Sequence, residues 1–372
     1  MLKVGITGQA GFIGKHLYNT IGLFPEEFTR IEFEKEYFED DNKLNTFVTE
    51  CDVIVHLAAM NRHNNPQVIY DTNLGLVQKL VQSLKATNSK SHVLFSSSTQ
   101  EERNNLYGKS KKEGRELMIN WSDNSEGQFT GMIIPNVFGP FGHPNYNSVI
   151  ATFCHKLSHN EKPIIDVDSD LKLIYVGELV NAIISEIRSK KGKHEIVVQR
   201  TSESKVSQIL TLLEKYKSEY QDKGVIPAIN NVFELNLFNT FRCYMDIKNH
   251  FPVKFVEHID PRGSFVEVIR LGVGGQVSFS TTLPGITRGN HFHTRKIERF
   301  AVIKGQALIQ LRQIGTDEVL EFYLDGNEPA YVDMPIWYTH NIKNIGNEVL
   351  YTNFWINEFY DPKDPDTYFI EV

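Results

Sequence analysis

Short apolar runs and helical patterns alternate through the first two-thirds of the chain. "KVGIT", "CDVIVHLAA", "SHVLFSSS" and "FTGMIIPNVF" read as buried strands. Between them, "GFIGKHLYNTIGL", "TNLGLVQKLVQSLKAT" and "YGKSKKEGRELMINWS" repeat apolar residues at spacings of three and four, the period of amphipathic helices. This alternation predicts a doubly wound parallel sheet of Rossmann type, with helices on both faces. After about residue 245 the period shortens. From "FPVKFVEHIDPRGSFVEVIRL" onward, β-rich runs are separated by Gly, Pro, Asn and Asp, which predicts an all-β sandwich or barrel. The expected division is therefore 1–245 and 246–372.

Length and composition narrow the class. The 372 residues exceed what one hydrophobic core usually serves, in keeping with two domains. A net charge of −7 argues against general nucleic-acid or anionic-membrane binding. Three scattered cysteines, Cys51, Cys154 and Cys243, fall in no CxxC spacing and suit a reducing cytosol. No run approaches 18 apolar residues, so neither a membrane span nor a signal peptide is expected.

Two groups of residues carry candidate chemistry. After the first strand comes Gly8-Gln9-Ala10-Gly11-Phe12-Ile13-Gly14 and then a helix. Glycines there let the backbone turn tightly and approach a pyrophosphate, whose charge a helix N-terminus stabilises. Downstream, Tyr107 and Lys111 lie four apart on one helix face, where an ammonium is expected to lower the phenol's pKa from about 10. Ser98, ending "SHVLFSSS", is placed to hydrogen-bond a substrate carbonyl, with Ser97 and Thr99 as alternatives. Near the second strand, Arg30 and Lys35 favour the 2′-phosphate of NADPH, whereas Glu32 and Glu34 point towards NADH.

The second group is in "GITRGNHFHTRKIERFAVIKG", residues 285–305. His291 and His293 are two apart, on one face of a strand, and Glu298 follows a turn-like "TRKI". With a distant fourth ligand, His340 of "MPIWYTHNIKN", the set suits zinc or another divalent first-row metal. "ERFAVIKGQALIQLR" reads as a hairpin turning at Lys304-Gly305, and Tyr338, Tyr331 and Asp333 are candidate proton carriers.

These motifs carry two resemblances. "TGQAGFIG", "VIVHLAA", "FSSST", "YGKSK", "PNVFGPFG" and "KLIYVGELVNAI" make residues 1–245 resemble an extended short-chain dehydrogenase/reductase acting on nucleotide sugars. That resemblance implies Ser98, Tyr107 and Lys111 as the catalytic triad, with the cofactor held by the glycine loop (Gly8, Gly11, Phe12, Ile13, Gly14), Lys35, Leu57, Ala58 and Ala59. It places Asn136 against the sugar nucleotide. Three positions depart from the family: a short serine-to-tyrosine interval, Ile133 in place of an arginine, and Leu171 in place of a basic residue, with Lys172 beside it. From Gly285 to Gly305 the chain is similar to the first motif of the cupin superfamily. Pro335, His340 and Asn344 fit the second, where Trp337 replaces the usual glycine. "DPRGSFVEVIR" and "TRGNHFH" resemble sugar-nucleotide 3,5-epimerases, which generally work without metal.

Together the halves resemble bifunctional enzymes of capsular polysaccharide precursor synthesis. The implied activity is C3 epimerisation of a UDP-4-keto-6-deoxy-N-acetylhexosamine by the cupin barrel, then reduction at C4 with NADPH by the front half. The product would be UDP-2-acetamido-2,6-dideoxy-L-talose, a precursor of UDP-N-acetyl-L-fucosamine. The resemblance also implies zinc and a homodimer; Tyr338, beside His340, is the candidate substrate contact of the cupin half. Two other readings stay open: an NAD-dependent nucleotide-sugar epimerase or dehydratase, and a reductase whose cupin is a non-catalytic dimerisation or sensing module. A dehydratase often carries Asp-Glu beside the serine, where this chain has Thr99-Gln100.

Overall fold

The computed structural model describes residues 1–189, 191–260, 263–266, 268–269 and 271–372. They fall into two units, one of residues 1–149 and 168–206, the other of 150–167 and 207–372.

In the first unit the strands are β1 (Leu2–Thr7), β2 (Phe28–Ile31), β3 (Val53–His56), β4 (His92–Ser98), β5 (Gln128–Ile134), β6 (Asn136–Phe138), β7 (Asp170–Tyr175), β8 (Lys193–Val197) and β9 (Ser202–Lys205). Six form a parallel sheet in the order β2-β1-β3-β4-β5-β8. The order reverses between β1 and β3, the switch point at whose carboxyl ends folds of this kind bind their ligands. All four residues of β3 are buried, as expected of a central strand covered on both faces. The helices are α1 (Phe12–Ile21), α2 (Asp41–Glu50), α3 (Pro66–Ala86), α4 (Leu106–Asp123) and, beyond α5 (Val149–Ser158), α6 (Val176–Ser189). Local signals set their starts: Asn65 caps α3 ahead of Pro66, and Asn105 caps α4 by accepting from the Gly108 N–H at 2.7 Å. The run "FTGMIIPNVF" is not one strand. Pro135 cannot continue the ladder, and β6 leaves to join a separate sheet, β6-β7-β9.

The second unit contains α7 (Val206–Tyr216, bar its first residue), α8 (Val232–Arg242) and α9 (Ile247–His250). Its strands are β10 (Val253–Lys254), β11 (Glu257–Asp260), β12 (Gly263–Val266), β13 (Gln276–Thr282), β14 (Thr287–Phe292), β15 (Glu298–Lys304), β16 (Gln306–Gln313), β17 (Val319–Asp325), β18 (Ala330–Met334), β19 (Tyr338–Asn344), β20 (Leu350–Ile356) and β21 (Tyr368–Phe369). Two antiparallel sheets, β10-β18-β15-β20-β13 and β17-β16-β19-β14-β21, enclose a core that includes Val302, Ile309, Leu311, Val332, Ile342 and Leu350. This is the cupin-type β architecture. The expected hairpin at Lys304-Gly305 is instead a corner: β15 pairs with β18 and β20, while β16 pairs with β17 and β19. Gly305, at φ +89°, makes the turn from one sheet to the other. In "DPRGSFVEVIR", β11 and β12 pair, whereas Pro261, Arg262, Glu267 and Arg270 lie outside the described residues. No described helix is long and apolar enough to cross a membrane.

Candidate active site and metal centre

The switch point of the first unit is built by close backbone approach. Gly8 adopts φ +77°, and a Cβ there would lie 2.8 Å from the Ala58 nitrogen. A Cβ on Gly14 would lie 2.2 Å from the Gly8 carbonyl oxygen, so only glycine lets α1 start this close to the loop. Gly11 is the N-cap of α1 and supplies no side-chain acceptor, so this helix start suits a phosphate; Phe12 and Ile13 open its first turn. Facing the loop, the Leu57 N–H donates to the Thr7 carbonyl (3.1 Å) and the Ala58 N–H to Thr7 Oγ1 (3.4 Å); Ala59 follows. Residues 57–59 thus stand beside the glycine loop, a cradle that fits a dinucleotide pyrophosphate.

Tyr107 and Lys111 share one face of α4, and the Lys111 ammonium lies 5.9 Å from the Tyr107 ring centroid. Lys111 is buried and donates to the Ser96 carbonyl at 2.9 Å. Burial pulls its pKa down to about 8, against a smaller opposing pull from Glu101. The lowered phenol expected from this neighbour is not found. Burial, with Tyr146 adding, pushes Tyr107 up to about 12, because desolvation of the phenolate outweighs an ammonium already engaged by Ser96. His56, stacked on Phe95 and bonded to Thr7 Oγ1 at 2.7 Å, is held down at about 3 by burial and by Lys111, which keeps it neutral.

Among the three candidate hydroxyls, Ser97 is buried and bonded to Glu101, which Arg115 engages at 2.7 Å. Thr99 is exposed in a 3₁₀ turn. Ser98 is half-buried at the end of β4, its Oγ accepting from the Gln100 N–H at 3.2 Å. Asn136 opens β6 and is exposed. Two supports escaped the sequence. Asn73 of α3 grips the Met60 backbone at both ends (2.7 and 3.0 Å) and donates to Ser110 between Tyr107 and Lys111. Tyr146 Oη accepts from the N–H groups of Asn61 and Arg62 (3.2 Å each). A polar residue inside an apolar helix was the available signal for Asn73; nothing local marked Tyr146. Near β2, Arg30 is drawn back to α1, donating to the Tyr18 carbonyl and lying 4.3 Å over its ring. Lys35 is exposed in the turn after β2.

In the second unit, β14 with the residue that follows it, β15 and β19 bring His291, His293, Glu298 and His340 together, with potential ligand atoms all within 4.8 Å of one another. Glu298 Oε2 lies 3.1 Å from both His293 Nε2 and His340 Nε2. These three buried atoms lack hydrogen-bond geometry with any partner, as expected of atoms aimed at a common centre. The outer ring nitrogens explain the aim. His293 Nδ1 donates to the Asp366 carbonyl and His340 Nδ1 to the Tyr338 carbonyl (3.2 Å), leaving both Nε2 lone pairs inward. Burial, then His340, pulls His291 down to about 4. Burial opposes ionisation of Glu298, but His293 and His340 outweigh it and hold the carboxyl well below its usual range. At His293 burial is in turn outweighed by Glu298, which raises the ring above the usual imidazole value, so carboxylate and ring share a proton that a cation would displace. Three imidazoles and a carboxylate aimed at one point are a donor set that fits a divalent cation.

Trp337, standing where the motif has glycine, adopts the left-handed φ of +61° itself. Its N–H donates to the His293 carbonyl at 2.8 Å and its ring stacks on Phe292 at 5.4 Å, so the turn survives the substitution. Tyr338 lies two residues before His340 on the same strand, hence on the same face. Asp333 and Tyr331 are not proton carriers here. They pair with Arg299 and Ala301, on the face of β15 opposite Glu298, and Asp333 is committed to Arg299 at 2.8 Å.

The fold and these two centres define a class: a Rossmann-type domain joined to a cupin-type domain whose His/Glu cluster could hold a metal ion. Residues 4–198 match the NAD dependent epimerase/dehydratase family, and 258–368 the polysaccharide biosynthesis C-terminal domain. The UDP-2-acetamido-2,6-beta-L-arabino-hexul-4-ose reductase of Pseudomonas aeruginosa is 30% identical over 377 residues, spanning 100% of this chain and 99% of its own. The crystal structure of the capsular polysaccharide assembling protein CapF from Staphylococcus aureus covers 100% of both chains at 34% identity, with a TM-score of 0.64. RMD from P. aeruginosa, complexed with NADPH, is 20% identical over 59% of this chain and 83% of its own (TM-score 0.53), a likeness of fold alone. The chain belongs to the NAD dependent epimerase/dehydratase family and, over its whole length, to the two-domain group that includes CapF.

Proposed function

We propose that the protein is a bifunctional sugar-nucleotide enzyme of capsular polysaccharide precursor synthesis. The cupin half, 246–372, inverts C3 of a UDP-4-keto-6-deoxy-N-acetylhexosamine. The front half, 1–245, then reduces C4 with NADPH to give UDP-2-acetamido-2,6-dideoxy-L-talose. The observation that carries this reading is the full-length similarity to a reductase of a 4-keto UDP-sugar, in a chain that also holds the His/Glu cluster. The order follows from the substrate: the C4 ketone acidifies the C3 proton, and reduction removes that acidity.

When bound, a nicotinamide cofactor supplies the hydride for C4, and zinc or a similar cation supplies Lewis acidity at the ketone. The chain's own residues do the rest. The glycine loop and residues 57–59 hold the pyrophosphate, and Lys35 is the cation for a 2′-phosphate, Arg30 being engaged with Tyr18. Tyr107, whose raised pKa keeps it protonated at neutral pH, gives its proton to O4. Ser98 hydrogen-bonds the same oxygen, Lys111 holds the nicotinamide ribose, and Asn136 contacts the sugar nucleotide. In the cupin half, His291, His293, Glu298 and His340 hold the cation and Tyr338 contacts the sugar. We further propose that the enzyme works as a cytosolic homodimer.

Deuterium separates the two steps. In heavy water, Tyr107→Phe should lose NADPH oxidation, by about 10²-fold or more, yet still exchange the C3 proton of substrate. His291→Ala should do the reverse, with exchange slowed and Tyr107 intact. Exchange at the wild-type rate in His291→Ala would make the cupin a non-catalytic module. Loss of both activities in Tyr107→Phe would refute two separate sites.

A further inference from the structure

Residues 364–371 converge on the metal ligands from three directions. Asp366 is buried and held at φ +41°, a conformation that asparagine and aspartate tolerate better than most residues. Its carboxylate accepts from the backbone N–H groups of Thr294, Arg295 and Lys296 (3.0 Å each) and from Thr294 Oγ1 (2.6 Å). Those three residues belong to the loop between His293 and Glu298. Consecutive N–H groups pointing inward would be left unpaired by any apolar side chain at 366, whereas one ionised carboxylate satisfies all three. The main-chain carbonyl of the same residue accepts from His293 Nδ1.

The neighbours of Asp366 extend the grip. Lys296 Nζ donates to the Pro365 carbonyl at 2.7 Å, and Arg295 pairs with Asp364 at 2.9 Å. Phe369 pairs with His291 in the β14–β21 ladder, and the Ile370 N–H donates to the Asn290 carbonyl at 3.0 Å. The Ile370 carbonyl accepts from Thr339 Oγ1 at 2.6 Å, one residue before His340. Each histidine of the cluster, or its chain neighbour, is therefore tied to residues 366–370, which lie outside the segments that supply the ligands.

We propose that Asp366 is the positioning residue of the metal centre. Its carboxylate fixes the 293–298 loop, and its carbonyl sets the tautomer and direction of His293; residues 364–371 act as a strap that completes the site. Outer hydrogen bonds of this kind hold a histidine's Nε2 on the metal and typically account for 10- to 100-fold in affinity. This inference rests on the metal reading above and adds to it a residue that neither ligates nor touches substrate.

The test uses the full chain loaded with zinc or cobalt(II). Asp366→Asn keeps the size and tolerates the φ but cannot accept from three N–H groups. Asp366→Gly keeps the φ and removes the acceptor. Both are expected to lower zinc affinity, measured by chelator competition, by about 10- to 100-fold and to change the visible absorption of bound cobalt. Thr294→Val, which removes one donor to Asp366 with little effect on folding, should lose about fivefold, the equivalent of one hydrogen bond. NADPH binding should be unchanged in all three. Should the Asp366 variants fail to fold, Thr294→Val still decides. Wild-type affinity and an unaltered cobalt spectrum in the variants that fold would overturn the role of Asp366 while leaving the metal reading intact. A wild-type protein that takes up neither metal would sink both.

Discussion

A buried ammonium is expensive, and Lys111 keeps one beside Tyr107 in the first unit. The depressed pKa makes the cost measurable. Below about pH 8 the lysine is protonated in folded and unfolded chains alike, and the folded state carries the full penalty. Between about 8 and the unfolded value of about 10.4, the folded protein releases its proton first, so stability rises with pH. Lys111→Met lacks this titration. Against that variant, wild type should gain about 3 kcal/mol as pH goes from 7 to above 10, read from urea midpoints; other groups cancel in the difference. A pH-independent difference would mean that burial does not set this pKa. The variant should also lose NADPH oxidation. Lys111 and Tyr107 were legible because a helix repeats every 3.6 residues, and the glycines because a backbone turn leaves its mark in adjacent letters. Asp366 was not, since its partners lie about 70 residues away and any acidic residue in "DPKDPDTY" looks alike. Trp337 shows the opposite limit: the sequence registers a missing glycine, while only packing against Phe292 shows how the turn is kept.

Elements were legible where one period ran uninterrupted and misleading where it continued across a break. "ERFAVIKGQALIQLR" alternates through Gly305 as a hairpin would, yet its halves serve different sheets, because alternation records which face is buried and not which strand is the neighbour. The change of period near 245 likewise records a shift from helices to strands. It does not reveal the ties between helical residues and the β-sheet in the second unit. Tyr220 donates to Asp333 at 2.6 Å, Arg242 donates to the Met334 carbonyl at 2.9 Å, and Arg299 meets Asp333 through two hydrogen bonds of 2.8 and 2.9 Å. Asp333 and Arg299 are 0% and 2% exposed, so neither charge can fall back on water. Asp333→Ala strands that guanidinium and is expected to cost about 3–5 kcal/mol in urea unfolding of the full chain. Asp333→Asn, which keeps one acceptor, should cost less. A loss below about 1 kcal/mol would place this pair with solvent-screened ion pairs.

At the scale of the whole molecule, the two-centre reading makes each ligand a selective stabiliser of the residues that hold it. A ligand at 100 times its dissociation constant adds about 2.7 kcal/mol to the state that binds it, and amides that open only with that state slow in proportion. Hydrogen exchange followed by peptide mass spectrometry resolves where this happens. NADPH should slow exchange in residues 3–21, 53–60 and 106–118, which carry the glycine loop, the Leu57–Ala59 turn and Lys111. A zinc chelator should speed exchange in 287–304, 338–344 and 364–371, which carry the four ligands and the strap. The two footprints differ because the glycine cradle offers no side-chain ligand for a cation, and the His/Glu cluster offers no helix start for a phosphate. A chelator that loosened 3–21 while leaving 287–304 unchanged would contradict the assignment of metal to the second unit. NADPH protection confined to 287–304 would contradict the assignment of cofactor to the first.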